Sequence, residues 1–383
     1  MKIIVNTRLL IKNRLEGIGV FTAETLKIIT KNNPKVEFIF LFDRKFDQQF
    51  IFEKNVKGIV VPPQARHPIL FKYWFNYAIQ RTIKKEKADL FLSPDGYLPE
   101  KMNIPSLAVI HDLSFEHFPE AFPKSQLRFL KKSFPQFATS ATRIATVSEY
   151  SKKDIMKQYN IDEKSIDVVY NGSINDYVPI KNQEIKNAIR QEYAAGEEFF
   201  IYIGSLHPRK NITNLLKAFD KFKEKTQKKH KILIIGRKMW WTDEMEKAYQ
   251  SMKHQTAVVF TGHISKEKLK KILASATALC YLSYFEGFGI PLIEAFNAGI
   301  PVITSNSTSL AEVAANAALL CNPFDVDEIA AAMQDISDNK ILREELIQKG
   351  NQRAKDFSWE KSANLLWDSM MKTIAIGNEK NYE

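Results

Sequence analysis

The sequence predicts an α/β protein made of two doubly wound parallel sheets, and three observations favour this fold class. Short apolar runs of about five residues alternate with helical patterns along the whole chain of 383 residues, as expected for strand–helix–strand units. The runs form two sets, separated by a polar, turn-rich stretch over residues 172–198. Because 45% of the residues are hydrophobic, the chain can bury two cores of ordinary domain size.

Each apolar run of four to six residues predicts one strand, and each set contains six such runs. Two sets of six fit two Rossmann-like, doubly wound domains. The first set covers residues 2–6, 38–42, 90–93, 106–110, 143–147 and 167–170, and the second covers residues 199–204, 231–236, 257–261, 278–281, 301–304 and 318–321.

The predicted domain boundary lies in the turn-rich stretch, which begins with the turn signal Asn171-Gly172. We expect an N-terminal acceptor-binding domain over residues 1–176 and a C-terminal nucleotide-sugar-binding domain over residues 177–365, for reasons given below. A C-terminal helix at about residues 366–383 is expected to pack back on the first domain. Ligands of open parallel sheets bind beyond the carboxyl ends of the strands. We therefore expect the chemistry in the loops after the strands, where the two domains face each other across a cleft.

Composition and charge exclude several classes of protein. The sequence has no run of about 18 apolar residues, and its start resembles a strand rather than a signal peptide, so we expect a cytoplasmic protein. The net charge is +11, and residues 1–180 hold 27 Lys/Arg against 19 Asp/Glu, a difference of +8. The first domain should therefore meet an anionic partner or surface. Zinc-finger spacing and RNA-binding aromatic signatures are missing, so nucleic acid is not expected. Cys280 and Cys321 lie in apolar sequence and are expected to be reduced core residues.

The most informative stretch is residues 286–294, Glu-Gly-Phe-Gly-Ile-Pro-Leu-Ile-Glu. It follows a predicted strand, and Pro291 suits the first position of a helix. The free N–H groups and positive dipole of that helix start attract an anion such as a phosphate. Gly287 and Gly289 let the backbone approach the anion closely. Glu294, on the first turn, can accept hydrogen bonds from sugar hydroxyls, and Glu286 is expected on the other side of the phosphate. This pattern suits a nucleotide joined to a sugar.

Arg209 and Lys210 follow the first strand of the second set and precede a helix that begins near Thr213. A guanidinium and an ammonium at a helix start suit a diphosphate. The alternative is a solvated basic loop.

Three further loops are candidates for the same site. Gly19 belongs to a Gly-x-Gly pattern before the first helix, which fits either a tight turn or a close approach to phosphate or sugar. His111 ends a predicted strand and can exchange a proton with a hydroxyl near neutral pH, while Asp112 is an alternative cap of the next turn. Ile264, after another predicted strand, is placed to pack on a nucleobase.

Two other patterns have competing interpretations. Asp325 and Asp327 match a D-x-D metal motif, but both fit as the cap and first turn of a helix, so we expect no metal. Residues 70–87 join an apolar helical face, formed by Leu70, Phe71, Trp74, Phe75 and Ala78, to Lys and Arg residues. This helix is either a membrane-surface helix or a domain helix with a solvated basic end.

Together these residues resemble the family-4 retaining glycosyltransferases of GT-B architecture, and the likeness covers almost the whole chain. Its most specific part is the E-x7-E segment from Glu286 to Glu294. The matching segments, in order, are Gly17–Gly19, His111-Asp-Leu-Ser-Phe, Thr146-Val-Ser-Glu-Tyr-Ser, Val169-Tyr-Asn-Gly, Pro208-Arg-Lys-Asn and the loop from Ser305 to Glu312. One departure is Ser205, where many members have arginine after the glycine.

The resemblance implies roles for these residues. Arg209 and Lys210 would neutralise the diphosphate of a nucleotide sugar, and Glu294 would bind the ribose. Glu286, with Gly287 and the backbone of Phe288, Gly289 and Ile290, would surround the donor sugar and phosphate, while Ile264 would flank the base. Gly19 and His111 would approach from the acceptor domain. A metal cofactor is not implied, because the cations and the helix dipole stabilise the leaving diphosphate.

The resemblance also implies a reaction and a setting. The expected activity is hexosyl transfer with retention, for which front-side attack is the working hypothesis. The motif that begins at His111 is similar to mannosyl-transferring members, which favours GDP-mannose over a UDP-sugar. The expected acceptor is a glycan or a polyprenyl-diphosphate-linked sugar in cell-surface polysaccharide or O-antigen synthesis, with peripheral inner-membrane contact through the basic first domain. The alternatives are a GT-B nucleotide-sugar epimerase and a non-catalytic nucleotide-sugar-binding protein.

Overall fold

The structure is a computed structural model, and it describes residues 1–65, 67–173 and 176–379. The chain divides into two compact units, one formed by Met1–Gly172 with the chain from Trp359 onward, and the other by Ser173–Ser358. The division therefore falls before the proposed boundary at residue 176, and the return to the first unit begins before residue 366. Ser173 and Ser358 form a parallel β-bridge, which brings the two ends of the second unit together.

The first unit contains a parallel sheet of seven described strands in the order β3-β2-β1-β4-β5-β6-β7. The apolar side chains of its central strands are fully buried, as expected for a sheet covered on both faces. The strands are β1 (Lys2–Asn6), β2 (Glu37–Phe42), β3 (Val56–Val60), β4 (Leu90–Ser93), β5 (Ser106–Val109), β6 (Arg143–Thr146) and β7 (Ile166–Val168).

The prediction of six strands for the first unit is wrong, because β3 was missed. This strand pairs only with β2 at the sheet edge. Its Val60 is 45% exposed, and Gly58 interrupts its short apolar pattern. An edge strand needs no continuous apolar run, so its sequence carries a weak signal.

Most helices of the first unit lie in the crossovers between its parallel strands, as in other doubly wound folds. One continuous helical segment contains α2, a π-helical stretch over Trp74–Ile79, and α3. Trp74 and Phe75 are buried on its inner face, whereas Leu70 is 40% exposed. The helices are α1 (Gly17–Asn32), α2 (Pro68–Tyr73), α3 (Gln80–Glu86), α4 (Ser114–His117), α5 (Lys124–Ser140) and α6 (Glu149–Tyr159).

The second unit repeats the doubly wound arrangement with six described strands in the order β10-β9-β8-β11-β12-β13. All pairings are parallel, and Cys280 and Cys321 are buried free thiols in this sheet, as predicted. The strands are β8 (Phe199–Ile203), β9 (Lys231–Ile235), β10 (Val258–Gly262), β11 (Ala278–Tyr281), β12 (Val302–Ser305) and β13 (Leu319–Cys321).

In the described part of the second unit, one α-helix precedes the first strand, each strand is followed by an α-helix, and one further α-helix comes at the end. These helices are α7 (Gln183–Ala194), α8 (Ile212–Thr226), α9 (Asp243–Gln250), α10 (Lys266–Leu273), α11 (Ile290–Asn297), α12 (Thr308–Ala314), α13 (Val326–Asp338) and α14 (Lys340–Ala354). The last helix, α15 (Trp359–Glu379), belongs to the first unit and packs on α1. Residues 380–383 of the expected C-terminal helix lie outside the described residues. Within the described ranges, each helix is too short or too polar to cross a membrane.

Candidate functional site

Arg209, Lys210 and Glu286 lie at the carboxyl edge of the second sheet, in the loops after β8 and β11. These two strands are neighbours, and the strand order reverses between them. Such a reversal leaves a crevice at the carboxyl edge that commonly binds ligands. Arg209 and Lys210 occupy a short 3₁₀ turn over Pro208–Lys210, and the left-handed Asn211 (φ 59°) ends it. The side chain of Asn211 donates to the carbonyl oxygen of Leu282 at 3.0 Å, which ties the two loops together.

The Glu286 carboxylate binds both cations. Its Oε2 lies 2.9 Å from Arg209 Nη1, and its Oε1 accepts from Lys210 Nζ. Lys210 Nζ also donates to the Tyr281 hydroxyl at 2.6 Å. Burial alone would raise the pKa of Glu286, but the charges of Arg209 and Lys210 outweigh it and lower that pKa to about 2. Glu286 is therefore ionised throughout the neutral range.

The basic loop is not solvated, because the side chains of Arg209 and Lys210 are only 20% and 8% exposed. Arg209 Nη1 also donates to the carbonyl oxygen of Phe285 at 2.8 Å. The Glu286 carboxylate lies directly against the two cations that are expected to bind the diphosphate. A buried carboxylate beside two cations is stable only when paired, which explains the contact.

The glycine turn after Glu286 is held by Ser309. Its hydroxyl donates to the carbonyl oxygens of Glu286 at 2.8 Å and of Phe288 at 3.2 Å. Gly289 has a φ of 106°, and a Cβ atom there would lie 2.5 Å from Leu310 Cδ2. Glycine is thus favoured here by the backbone conformation, and a larger residue would also have to displace the end of the Leu310 side chain.

The same turn starts α11 one residue earlier than predicted, at Ile290, with proline in the first turn. Pro291 has no N–H, and the Leu292 N–H donates to the Gly289 carbonyl oxygen at 3.0 Å, so the attraction of this end for an anion rests mainly on the positive dipole of α11. Gly287 lies in the turn before it. The Phe288 ring is buried and lies 5.5 Å from the Phe357 ring, so the ring belongs to the core of the second unit.

Glu294 lies in α11 and forms a hydrogen bond with Tyr177. Burial raises the pKa of Glu294 to about 7, although the Tyr177 hydrogen bond and the charge of Lys266 act to lower it. Glu294 thus changes its charge near neutral pH, unlike Glu286. Ile264 lies partly buried in the loop between β10 and α10, close in sequence to Lys266.

His111 lies at the carboxyl edge of the first sheet, after β5. Its Nε2 lies 2.8 Å from the carbonyl oxygen of Pro94, and the Phe21 ring contacts it edge-on at 5.1 Å. Burial lowers the pKa of His111, so the ring is neutral near pH 7. Because a carbonyl oxygen only accepts, Nε2 carries the hydrogen, and Nδ1 is left as a hydrogen-bond acceptor. Asp112 Oδ1 accepts from the N–H of Ser114 at 2.9 Å, which is the predicted capping role.

Gly19 lies inside α1 rather than in a loop before it, because the helix already begins at Gly17. A Cβ atom at Gly19 would lie 3.1 Å from the carbonyl oxygen of Leu9 and 3.2 Å from Leu15 Cδ2. The glycine therefore lets the loop after β1 pack closely against the first turn of α1.

Asp325 and Asp327 have structural contacts. Asp325 Oδ1 caps α13 by accepting from the N–H groups of Asp327 at 2.9 Å and Glu328 at 3.0 Å. The Asp327 carboxylate pairs with Lys221 Nζ at 2.7 Å. Across the part of the chain that the structure describes, no cluster of three or more His, Cys, Asp and Glu side chains has metal-binding geometry.

Sequence reasoning missed Tyr281, Tyr177 and the role of Ser309. Tyr281 is the last residue of an apolar strand, so the sequence pattern predicted a buried core side chain and gave no sign of a role for its hydroxyl. Tyr177 lies in the turn-rich stretch, far in sequence from Glu294. Ser309 falls in the segment from Ser305 to Glu312 that already resembled a family loop, and this was the one available signal.

Two family models match the chain, one over each half. The model described as Glycosyltransferase Family 4 matches residues 15–173, and the model described as Glycosyl transferases group 1 matches residues 185–353. The O-antigen chain mannosyltransferase B of Escherichia coli is 30% identical over 370 residues, covering 94% of this chain and 97% of that protein. The O-antigen chain mannosyltransferase RfbU of Salmonella typhimurium is 29% identical over 268 residues, covering 70% of this chain and 69% of that protein.

A similar fold occurs in the solved structure of a sucrose-phosphate synthase from Thermosynechococcus elongatus. The TM-score is 0.78 at 17% identity, and the match covers 98% of this chain and 99% of that one. The predicted fold class, two parallel-sheet α/β domains, is confirmed.

Proposed function

Since the chain belongs to the group 1 and family 4 glycosyltransferases, we propose that it moves mannose from GDP-mannose, with retention of configuration, to a glycan or lipid-linked acceptor. A nucleotide-sugar donor follows from membership of this enzyme family. Mannose is supported by two relatives that are both named as O-antigen chain mannosyltransferases. Their names also support a place in the assembly of an O-antigen-type polysaccharide.

The observation that carries the proposal is the cluster of Arg209, Lys210 and Glu286 beside the start of α11. Two partly desolvated cations and the positive end of the α11 dipole lie together at one crevice of the second sheet. A diphosphate brings more negative charge than one carboxylate. A bound diphosphate is therefore expected to displace Glu286 from Arg209 and Lys210, or to bind the same two cations beside it.

We propose that the leaving diphosphate itself accepts the proton of the acceptor hydroxyl. The bond from the anomeric carbon to the phosphate oxygen breaks, while the bond to the acceptor oxygen forms on the same face of the sugar. The acceptor proton then passes to the departing phosphate oxygen. Glu286 is a poor base for this step, because its pKa of about 2 keeps it ionised and ion-paired at neutral pH. Arg209 and Lys210 stabilise the charge that develops on the leaving group.

We assign His111 to recognition of a sugar hydroxyl. The neutral ring is fixed by Pro94 on one side and presents Nδ1 as an acceptor. Asp325 and Asp327 are assigned no part in donor binding, since one caps a helix and the other pairs with a lysine.

The donor assignment is tested by thermal unfolding of the purified protein with GDP-mannose, UDP-glucose, UDP-N-acetylglucosamine and ADP-glucose, each with EDTA and with Mg²⁺. We expect GDP-mannose to raise the melting temperature equally with either addition. A ligand at about 100 times its dissociation constant adds roughly 2.7 kcal/mol to the free energy of unfolding, which is readily seen. A shift with only a UDP-sugar would overturn the mannose assignment, and a shift that requires Mg²⁺ would overturn the metal-independent mechanism.

We further propose that the helical segment of α2 and α3 rests on an anionic membrane that holds the lipid-linked acceptor. Its outer face exposes Ile69 (72%), Tyr73 (51%) and Tyr77 (66%), and the Tyr73 and Tyr77 rings stack at 5.5 Å. Lys72 and Arg81 are exposed in the same segment. Apolar and aromatic side chains with neighbouring cations match the interface of an anionic bilayer.

Co-sedimentation with vesicles tests this contact. We expect more binding to vesicles with anionic lipids than to neutral ones, and several-fold weaker binding for the double variant Ile69→Ser/Tyr77→Ser, because its apolar contact area is lost. Ile341→Ser is the matched control, since Ile341 is 79% exposed on α14 of the other unit. Equal binding to neutral and anionic vesicles, or an equal loss in the control, would argue against this surface.

A further inference from the structure

A partly buried ion pair lies at the carboxyl edge of the first sheet, where the strand order reverses between β1 and β4. Arg8 follows β1, and Asp95 follows β4. Arg8 Nε donates to Asp95 Oδ2 at 2.7 Å, and the Asp95 side chain is only 4% exposed. This crevice of the first sheet corresponds to the one in the second sheet that holds Arg209 and Glu286. Ligands of doubly wound sheets bind at such reversals.

Asp95 is fully occupied by its neighbours. Its Oδ1 accepts from Asn6 Nδ2 at 2.8 Å and from the Ser93 hydroxyl at 3.0 Å, while Oδ2 accepts from Arg8. Asn6 is itself buried. With both oxygens engaged, Asp95 has little capacity left for a sugar hydroxyl. Its function in this network is to hold the Arg8 guanidinium in one orientation.

The guanidinium of Arg8 is fixed on a second side by aromatic rings. Its Cζ atom lies 5.2 Å from the ring centroids of both Phe71 and Tyr97, within cation–π range. Among the described residues, neither Nη atom of Arg8 has a hydrogen-bond partner, and neither is fully buried. Arg8 is therefore an oriented guanidinium that offers donors to a ligand.

Two other arginines in this unit are bound differently. Arg143 donates from Nε and Nη2 to the two oxygens of Asp167, at 3.0 Å and 2.9 Å. Arg44 does the same with Asp43, at 2.6 Å and 2.8 Å. Arg8 instead donates to its carboxylate through Nε alone, which leaves the Nη end for another anion.

Arg8 lies near two parts of the first unit that are proposed to bind the acceptor, His111 and the segment of α2 and α3. The loop after β4 holds both candidate groups, because Asp95 binds Arg8 and the adjacent Pro94 binds His111. Phe71, which contacts Arg8, belongs to α2, whose outer face carries Ile69 and Tyr73. The pair thus lies between the histidine assigned to a sugar hydroxyl and the segment assigned to the membrane.

We propose that Arg8 binds a phosphate or diphosphate group carried by the acceptor, which rests on the proposed glycosyltransferase function. Two N–H donors in one plane match two oxygens of a phosphate, and lysine cannot reproduce that geometry. The excess of Lys and Arg over Asp and Glu in residues 1–180 favours an anionic acceptor. This group is either the headgroup of a lipid-linked acceptor or a phosphate on a water-soluble one.

The test measures binding of three probes to the full-length protein in saturating GDP, which occupies the donor site. The probes are farnesyl diphosphate, inorganic diphosphate and farnesol, and the proteins are wild type, Arg8→Lys and Arg143→Lys. Arg8→Lys keeps the charge beside Asp95, so the fold is retained, and a melting curve verifies this. Arg143→Lys is the matched control for the loss of an arginine paired to a carboxylate.

We expect Arg8→Lys to weaken farnesyl diphosphate binding by about tenfold or more, the usual effect of losing a charged hydrogen bond, with Arg143→Lys unchanged. A parallel loss for inorganic diphosphate would show that Arg8 binds the diphosphate group itself. Tighter binding of farnesyl diphosphate than of inorganic diphosphate by wild type would assign that group to a lipid headgroup, and equal binding would assign it to a water-soluble phosphate. Binding by Arg8→Lys within twofold of wild type, an equal loss for farnesol, or no diphosphate binding by wild type would overturn the proposal. Absence of GDP binding would count against the donor assignment, and the comparison of Arg8→Lys with wild type would still decide the role of Arg8.

Discussion

Replacing Arg209 and Lys210 together with alanine is expected to lower the rate of sugar transfer by on the order of 10³-fold or more, since one preorganised donor alone contributes about 10²–10³. Both cations lie in the crevice where the leaving diphosphate is proposed to bind, and both are held there by Glu286. Without them, charge that develops on the diphosphate is left to the start of α11. Initial rates with donor and acceptor, at saturating donor, measure the effect.

The same change also affects stability, because it leaves Glu286 buried without its two cations. Burial would then raise the pKa of Glu286 unopposed. We therefore expect a lower melting temperature for the double variant, and recovery of stability but not of transfer when Glu286→Gln is added. This third change removes the unpaired charge and restores no cation.

Arg237→Ala/Lys238→Ala is the matched control for the double variant. These residues are also consecutive, also basic, and also follow a strand of the second sheet at its carboxyl edge, but both are exposed. The control loses the same charge and should keep transfer close to wild type. If Arg209→Ala/Lys210→Ala keeps a transfer rate within tenfold of wild type, the assignment of these residues to the diphosphate is wrong. If the control loses the same transfer rate as the double variant, the loss is a nonspecific effect of charge.

The affinity for GDP-mannose is expected to rise with pH between about pH 5 and pH 8, by roughly tenfold per unit below pH 7. In the ribose-binding role that the family resemblance implies for Glu294, ribose hydroxyls would donate hydrogen bonds to its carboxylate, so we expect binding to require the ionised form of this residue. The pKa of Glu294 is about 7 in the free protein, because burial raises it more than Tyr177 and Lys266 lower it. Equilibrium binding without acceptor measures the profile. GDP-mannose is preferred to GDP, whose terminal phosphate titrates in the same range.

Two variants separate Glu294 from other titrating groups. Glu294→Gln should bind weakly and show a flat profile, while Tyr177→Phe should move the midpoint to higher pH, since its hydrogen bond lowers the pKa of Glu294. A profile that Glu294→Gln leaves unchanged would exclude the ribose role.

The free energy of unfolding of the ligand-free protein should fall as pH rises, whereas the affinity for GDP-mannose should increase. A carboxyl group whose pKa is raised in the folded state lowers the free energy of unfolding as pH rises from its ordinary value of 4.5 through about 7. Glu294→Gln should therefore be more stable than wild type above pH 7 and not below pH 4.5. Melting curves at both limits provide the check.

The central strands could be predicted from sequence almost to the residue. Residues 2–6, 90–93 and 278–281 match β1, β4 and β11 because strands buried on both faces are continuous apolar runs. The edge strand β3 could not be found in this way, since it pairs with one strand only and its partly exposed side chains need not be apolar. The predicted start of α1 was also misplaced, because glycine at a helix start resembles glycine in a turn.

The candidate site could be predicted as a set of residues but not as an arrangement. Glycine, proline and charge patterns identified Arg209, Lys210 and Glu286 from their own loops. Their contact depends on β8 lying beside β11, a pairing between segments more than 70 residues apart along the chain. The same limit hid Arg8, which meets Asp95 only because β1 pairs with β4. Strand order follows from the packing of the whole sheet and leaves no local signal.

The first unit is built from two separate segments of the chain, and this has a consequence for synthesis on the ribosome. The second unit is one continuous segment, whereas the first needs α15, whose buried Leu366 and Met370 come after the whole of the second unit. Because the chain is synthesised from its N-terminus, all of the second unit has been made before the first unit receives α15. Until α15 follows, the surface of α1 on which it packs stays uncovered, and we expect the nascent chain to need protection there longest.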